Sequence, residues 1–338
     1  MEAILRPAEE VPAIFTDRLN SRSQDEVAQV VTMTAEFCNN QVIDALLEHG
    51  RPDDAFAIDH LGDLHGSRAR LFRGNHEGQE TFQEGFPGSY AILNPSSLGR
   101  LGATLLERSH IKAYRVGSRI LSAGGVNCVP VSFHNFVDLM LDFESEEYAD
   151  FLDRFIAHKG NLRDEGIGES IRLNATSELL VDYGRKGRSS ILDNLLTDLD
   201  RDPEETIVTS SYAPYGQLDE QLYRLLRRGK QVEFYANSPS KFHGPHHSST
   251  ERWLQQYSAW RAKTPWADRL TDRFTHLKAA LLRHQNGTQI AYVGSATFHE
   301  LPILAGTAEV CLRTTDDKLV GQLEAYINCN LVNPGPTA

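Results

Sequence analysis

Cysteine is scarce in this sequence. Its four cysteines, Cys38, Cys128, Cys311 and Cys329, form no CxxC pair and no other zinc spacing, and they are too few to staple a disulfide scaffold. Buried free thiols in a reducing compartment are the expectation, with no metal and no cofactor. The chain also lacks any run of the roughly 18 to 20 apolar residues that spans a bilayer. Its opening stretch, Met1 to Glu10, is acidic and has no apolar core of the kind a secretory signal needs. The expectation is therefore a cytoplasmic protein, soluble or peripheral at a membrane. Excess positive charge is missing too: 34 Lys and Arg face 46 Asp and Glu, a net charge of −12. That argues against broad, sequence-independent nucleic-acid binding, which rests on cationic surface and counterion release. A local cationic cleft is still allowed.

What is present is an ordinary globular composition: 338 residues, 40% of them hydrophobic, with 14 Pro and 25 Gly. That is enough chain for two domains with a substantial core. Residues 1–26 read as a polar arm with at most one short helix, Ala13 to Leu19. Val27 to Thr34 is β-branched enough for a buried strand, Asn39 or Asn40 caps a helix stopped by Gly50, and Ala55 to Asp59 gives a second strand. Short connections of this kind favour parallel pairing and an α/β class. The same order returns later: strand Glu205 to Tyr212, helix Leu218 to Leu226, stop at Gly229, strand Gln231 to Ala236. We read an internal duplication: two similar α/β/α halves with mixed, largely parallel sheets, 27–170 and 171–338. The Gly-, Asn- and Ser-rich stretch from Leu61 to Ser97 reads mostly as loop, a substrate-covering segment or a plain insertion, and Leu98 to Arg108 as a helix.

Each half then leads to one construction. The first reads Ser109-His110-Ile111-Lys112, closed by Gly124-Gly125-Val126-Asn127; the second reads Thr275-His276-Leu277-Lys278, closed by Gly294-Ser295-Ala296-Thr297. On extended chain, His and Lys two apart project from the same face. A neutral imidazole can attack phosphorus, a protonated one can deliver a proton to a leaving oxygen, and ammonium groups neutralise phosphoryl oxygens. One His-x-Lys means little; two in corresponding places of a duplicated chain imply two halves of one site. The four-residue excess in the second copy falls at Gln285-Asn286-Gly287-Thr288, a hairpin-turn sequence.

Other stretches carry two readings each. Gly184 to Ser190, before the helix Ile191 to Leu199, is a helix N-terminus that could hold phosphate, or a flexible loop with a Ser cap. His243, His246 and His247 read as a solvated loop sooner than a metal site, since no carboxylate or Cys shares their spacing. Tyr212 and Tyr215, at the C-terminal end of the repeated strand, fall where α/β sheets place ligands, although packing explains Tyr212 equally well. The helix Glu251 to Arg261 sets Trp253, Leu254, Tyr257 and Trp260 beside Arg252 and Arg261, as a packed helix would or one that touches a lipid interface.

The paired segments resemble the signature of the phospholipase D superfamily: His-x-Lys, four residues, Asp, then a Gly-Gly or Gly-Ser turn with Asn. Here Gly117 and Arg283 stand at the Asp positions, and Thr297 replaces the second Asn. The resemblance implies a pseudo-symmetric site between the halves that works without metal. His110 would form a phosphohistidine, His276 would protonate the leaving alcohol, and Lys112, Lys278, Asn127 and Thr297 would bind phosphoryl oxygens, with Gly125, Ser295 and Tyr212 at the substrate. Asp138 and Glu309, downstream of the two turns, would orient the histidines, Asp138 being the candidate for His110. Within the superfamily, His110 to Tyr114, Ile120 to Ser122 and Asn135 to Asp138 look most like the phosphatidyltransferase branch. The implied partners are a phospholipid or CDP-diacylglycerol with a small alcohol, at peripheral membrane contact, ahead of nucleic acid. A nuclease or phosphodiesterase of the same superfamily and a non-catalytic phosphate binder are the alternatives.

Overall fold

Four helices start where the sequence offers a side-chain cap. The Asn40, Ser145, Ser189 and Asp316 side chains each accept the backbone N–H two or three residues ahead. In the computed structural model, residues 3–59, 73–94, 108–243, 249–268 and 274–332 are described. The first half runs β1 (Ile4–Pro7), α1 (Val11–Ser21), β2 (Ala28–Thr32), α2 (Gln41–His49), β3 (Ala55–Asp59), α3 (Arg73–Gly85), β4 (Ser89–Leu93), β5 (Ala113–Val116), β6 (Arg119–Ser122), α4 (Pro130–His134), β7 (Phe136–Val137), β8 (Leu139–Glu144) and α5 (Glu146–Ala157). The second runs β9 (Gly168–Arg172), β10 (Ser177–Tyr183), α6 (Ser190–Leu199), β11 (Glu205–Thr209), α7 (Gln217–Arg227), β12 (Gln231–Tyr235), α8 (Ser249–Arg261), β13 (Phe274–Thr275), β14 (Lys278–Arg283), β15 (Gln289–Gly294), α9 (Glu300–Ala305), β16 (Ala308–Thr314) and α10 (Asp317–Ile327).

The two large sheets have orders β1-β8-β6-β5-β2-β3-β4 and β12-β11-β14-β15-β16-β10-β9. Read in opposite senses they coincide over six strands, β1 on β10 through β3 on β12, so the fold is a duplicated α/β architecture. Parallel pairing is confined to β2·β3, β3·β4 and β11·β12. The other large-sheet pairs are antiparallel because hairpins and long returns make them, so the sheets are mixed but not largely parallel.

The N-terminal segment is not a separate arm. β1 pairs antiparallel with β8, and Phe15 and Leu19 of α1 are buried against the sheet with Val30 and Tyr114. It is the counterpart of β10 and α6, and a four-residue strand was too short to read. The second sheet begins at Gly168, inside the range expected for the first half. The region expected to be mostly loop holds α3 and β4. That helix is mostly polar and is anchored by Phe82, which packs with Phe86 just beyond the helix end and with Phe37, Phe56 and Tyr90, the Phe56 and Phe82 ring centres lying 5.1 Å apart. Residues 98–107 of the expected helix, and His246 and His247, lie outside the described residues. Of the thiols, Cys128 and Cys311 are buried while Cys329 is exposed.

Three layers of core result. α1 and α2 cover the outer face of the first sheet, and α6 and α7 the outer face of the second. Between the sheets lie Tyr148, Phe151 and Phe155 of α5 with Leu319, Leu323 and Ile327 of α10, in one cluster with residues of both halves. At about 1.5–3 kcal/mol for each fully buried large side chain, this shared middle layer holds the halves in fixed register. That register positions the site.

Candidate active site

The chain before each Lys is extended and is hydrogen-bonded to the opposite half. Ser109 bridges Ala308 in parallel; Ala308 N–H donates to the Arg108 carbonyl (2.8 Å) and His110 N–H to the Ala308 carbonyl (2.8 Å). Correspondingly β13 pairs with β7, Phe274 opposite Phe136, and the amides of His276 and Leu277 both donate to the Val137 carbonyl (3.0 and 2.8 Å). Ala308 precedes Glu309 and Val137 precedes Asp138. Each motif histidine is therefore laid beside the acid of the other half.

The side chains follow that backbone. His110 Nδ1 lies 2.8 Å from Glu309 Oε1, and His276 Nδ1 lies 2.7 Å from Asp138 Oδ2. This corrects the expectation that Asp138 orients His110: the acids cross between halves. With Nδ1 committed to a carboxylate, Nε2 of each ring is the nitrogen left to face a substrate. Each acid is in turn held from its own half. Leu139 N–H (2.9 Å) and Gly125 N–H (3.3 Å) donate to Asp138 Oδ1, and the Ser295 hydroxyl donates to Glu309. Ser295 is fully buried, and its oxygen also accepts from Val310 N–H (3.0 Å). Its hydroxyl thus serves Glu309 and not, as expected, a substrate. Gly125 is needed for room: a Cβ there would come within 2.6 Å of His276 Nδ1 and 2.9 Å of Lys278 Nζ.

Between the histidines, Lys112 and Lys278 are both 2% exposed, and Asn127 and Thr297 are nearly as buried. Lys278 Nζ, Asn127 Oδ1 and Thr297 Oγ1 are shut from solvent and hydrogen-bond nothing among the described residues. Buried polar groups are seldom left so; the Lys278 ammonium and the Thr297 hydroxyl are donors that suit the oxygens of an anion, while the Asn127 oxygen can only accept. Burial pushes Lys278 down to about 7, with Lys112 adding to the depression while Asp138 and Glu309 oppose it. Burial takes Lys112 to about 8, where Glu309 and Asp138 pull back most. His276 is driven to about 4 by burial and then by Lys278. His110 is lowered by burial, with Glu309 opposing. Burial would raise Glu309, but the charge and hydrogen bond of His110, with Lys112, hold it below its ordinary value. The arrangement offers neutral imidazoles over a cationic anion pocket.

The positions that depart from the expected pattern have structural duties. Gly117 turns the β5–β6 hairpin with φ +59°, and a Cβ there would come within 2.7 Å of Glu26 Oε1, a carboxylate that an Asp would also repel. Arg283 closes β14 on Glu205 and Glu324. Asn286-Gly287 makes the second hairpin turn, as expected. The loop before α6 does not present its helix N-terminus to a ligand, because Asp182 fills it, accepting from the Ser190 and Ile191 amides and from the hydroxyls of Ser189 and Ser190. Tyr212 is half-buried, stacked on Phe242 (5.4 Å), and belongs to an aromatic wall. From His276 that wall runs through Phe136 (5.5 Å), Phe274, Phe242 and Tyr212 to His299, Tyr215 and Tyr257.

The sequence reading passed over Arg108 and Asp59. Asp59 Oδ2 accepts Ser109 N–H (2.7 Å), and Oδ1 stands 3.9 Å from Arg108 Nε. The available signal is the alternation Arg108-x-His110-x-Lys112, which sets two cations and an imidazole on one face of extended chain. Among the described residues no group of three or more His, Cys, Asp and Glu is disposed to hold a metal ion, and no helix is long and apolar enough to cross a membrane.

No family model and no curated protein matches the chain. Solved structures do. The phosphatidylserine synthase of Haemophilus influenzae superposes with a TM-score of 0.68 at 13% identity, over 96% of this chain and 85% of that one. The polyphosphate kinase of Porphyromonas gingivalis gives 0.62 at 13% identity over 96% of this chain; the chain spans about half the kinase, 49% of its length. At 13% identity these likenesses show a shared fold, the duplicated α/β architecture described above.

Proposed function

We propose that this chain is a phosphodiester-transferring enzyme that moves a phosphatidyl group from CDP-diacylglycerol to a small alcohol through a phosphohistidine. The observation that carries the chemistry is the pair of crossed histidine–carboxylate contacts, at 2.8 and 2.7 Å, around the unpartnered Lys278, Asn127 and Thr297. One imidazole Nε2 attacks the phosphorus; an N–P bond forms as the bond to the CMP oxygen breaks, and the other histidine, in its protonated form, gives that oxygen its proton. The acceptor alcohol then enters, loses its proton to the second histidine and attacks the phosphorus, and the N–P bond breaks to restore the first imidazole. Following the resemblance, His110 takes the nucleophile's role and His276 that of the acid. Lys112, Lys278, Asn127 and Thr297 hold the phosphoryl oxygens, and Asp138 and Glu309 steady the imidazolium forms across the halves.

The lipid side of this reading rests on α8. This helix turns Gln255 and Ser258 inward, both fully buried, and sets Trp253 and Trp260 outward at 57% and 76% exposure. Both indoles pack on Tyr257, the outer end of the aromatic wall that starts at His276. A helix with its polar face in the core and indoles in water fits a headgroup layer. The phosphatidylserine synthase likeness adds to it.

The test offers labelled CDP-diacylglycerol with serine or glycerol 3-phosphate, phosphatidylcholine, and single-stranded DNA in parallel, with EDTA throughout. Transfer or hydrolysis at a lipid interface is expected, and turnover of DNA alone would sink the lipid reading. His110→Ala and His276→Ala should each lower turnover by about 10³-fold or more; substantial activity surviving in either refutes a shared site.

A further inference from the structure

A third cation, Arg108, stands beside the first motif, and among the described residues the matching position of the second half carries none. Arg108 shares the face of His110 and Lys112, and its charge is felt by both. Its backbone is pinned to Ala308 of the second half, and Asp59, at the C-terminal end of parallel strand β3, faces its Nε at 3.9 Å while holding the next amide. That ion pair is too long for a hydrogen bond. Arg108 Nε and Nη2 are shut from solvent and hydrogen-bond nothing among the described residues. Glu251, Tyr212 and Glu309 are the other groups whose charge bears on it, and burial works against its own.

In the second half, the residue two before the histidine is Phe274, packed on Phe136 at 5.2 Å. The two lysines and the two turn residues already answer one phosphoryl group from both halves. A further guanidinium beside the first motif, with Nε and Nη2 unpaired among the described residues, suits a substrate that is anionic on that side beyond the reacting phosphoryl. Guanidinium forks match phosphate oxygens in pairs.

We propose that Arg108, positioned by Asp59, binds the second phosphate of a diphosphate donor and so selects diphosphate over single-phosphate donors. This rests on the reading of the pocket as a phosphodiester-transfer site.

The test compares wild type, Arg108→Gln and Arg108→Lys as full chains, with circular dichroism confirming the fold. In the binding arm, inorganic pyrophosphate and inorganic phosphate are titrated calorimetrically. Wild type should prefer pyrophosphate by about tenfold or more, Arg108→Gln should lose that preference, and Arg108→Lys should keep part of it. In the kinetic arm, Arg108→Gln should lower kcat/KM for CDP-diacylglycerol at least tenfold more than for phosphatidylcholine with the same acyl chains. Equal losses on both donors, or a pyrophosphate preference that survives in Arg108→Gln, overturn the proposal. If wild type turns over neither lipid, the lipid reading fails, and the pyrophosphate comparison still decides the role of Arg108.

Discussion

The two halves of the pocket carry the same parts and differ in what surrounds them. On the first side His110 and Lys112 are flanked by Arg108, with the amide Asn127 at the turn; on the second, His276 and Lys278 are flanked by Phe274, with the hydroxyl Thr297 at the turn. The acids do not stay with their own half, since Glu309 faces His110 and Asp138 faces His276. Duplication thus sets the geometry of the candidate site, and departures from the duplication make its two flanks unlike. Neither half completes a histidine–acid pair alone.

The crossing gives the largest expected effect. Asp138→Asn and Glu309→Gln should each lower turnover by about 10³- to 10⁴-fold, as loss of an imidazole-orienting acid does elsewhere. A p-nitrophenyl donor needs no proton on its leaving group. It should restore covalent adduct formation, read by rapid quench and intact mass, in whichever histidine variant removed the general acid, and also in the variant of the acid paired with that histidine. Rescue should therefore group His276→Ala with Asp138→Asn, and His110→Ala with Glu309→Gln. Grouping within one half would break the crossed arrangement.

That crossing also marks where the sequence stops being readable. The strands of the β-α-β units, the His-x-Lys pairs and the Asn286-Gly287 turn were legible because each depends on neighbours within a few residues. Asp138 and Glu309 were legible as candidates from their places after the turns. Their partners were not, because these are set by two backbone carbonyls, Ala308 and Val137, that meet the opposite motif only once the sheets are docked. β1 was missed because a four-residue edge strand has no periodicity of its own, and α3 because only Gln79 and Phe82 among its described side chains are buried. Ser295 looked like a substrate ligand and is taken up by Glu309; only packing shows that.

The lysines come next in size, and they differ between halves. Lys278, at about 7, should lose its proton before Lys112, at about 8. Sulfate stays dianionic between pH 6 and 9, so its affinity for the free protein should fall across that range, by up to about tenfold per unit above each value. Stability should move the other way. The folded value of Lys278 lies below its unfolded value near 10.4, so from pH 7 upward to that value the unfolded chain binds more protons, and raising pH relieves the cost of burying the charge. Calorimetric sulfate titrations and urea melts at pH 6, 7.5 and 9 check both slopes, and Lys278→Met should flatten both. Equal slopes in Lys278→Met and wild type would show that Lys278 does not face the anion.

The smallest effect concerns the turn residues. An amide offers two N–H donors and a hydroxyl one, and Thr297, β-branched, is restricted in χ1. Both residues are nearly buried, and the Thr297 hydroxyl has no partner among the described residues. A hydrogen bond to a charged oxygen is worth about 1.5–3 kcal/mol against about 0.5–1.5 kcal/mol for a neutral pair. Removing the better-equipped Asn127 as Asn127→Ala should cost about 10- to 100-fold in kcat/KM, and Thr297→Ala about three- to tenfold. Asn127→Thr gives both turns the same hydroxyl and should fall between them. If Thr297→Ala costs as much as Asn127→Ala, the second turn holds the phosphoryl group as firmly as the first, and the halves differ in their flanks, Arg108 and Phe274, but not in their grip.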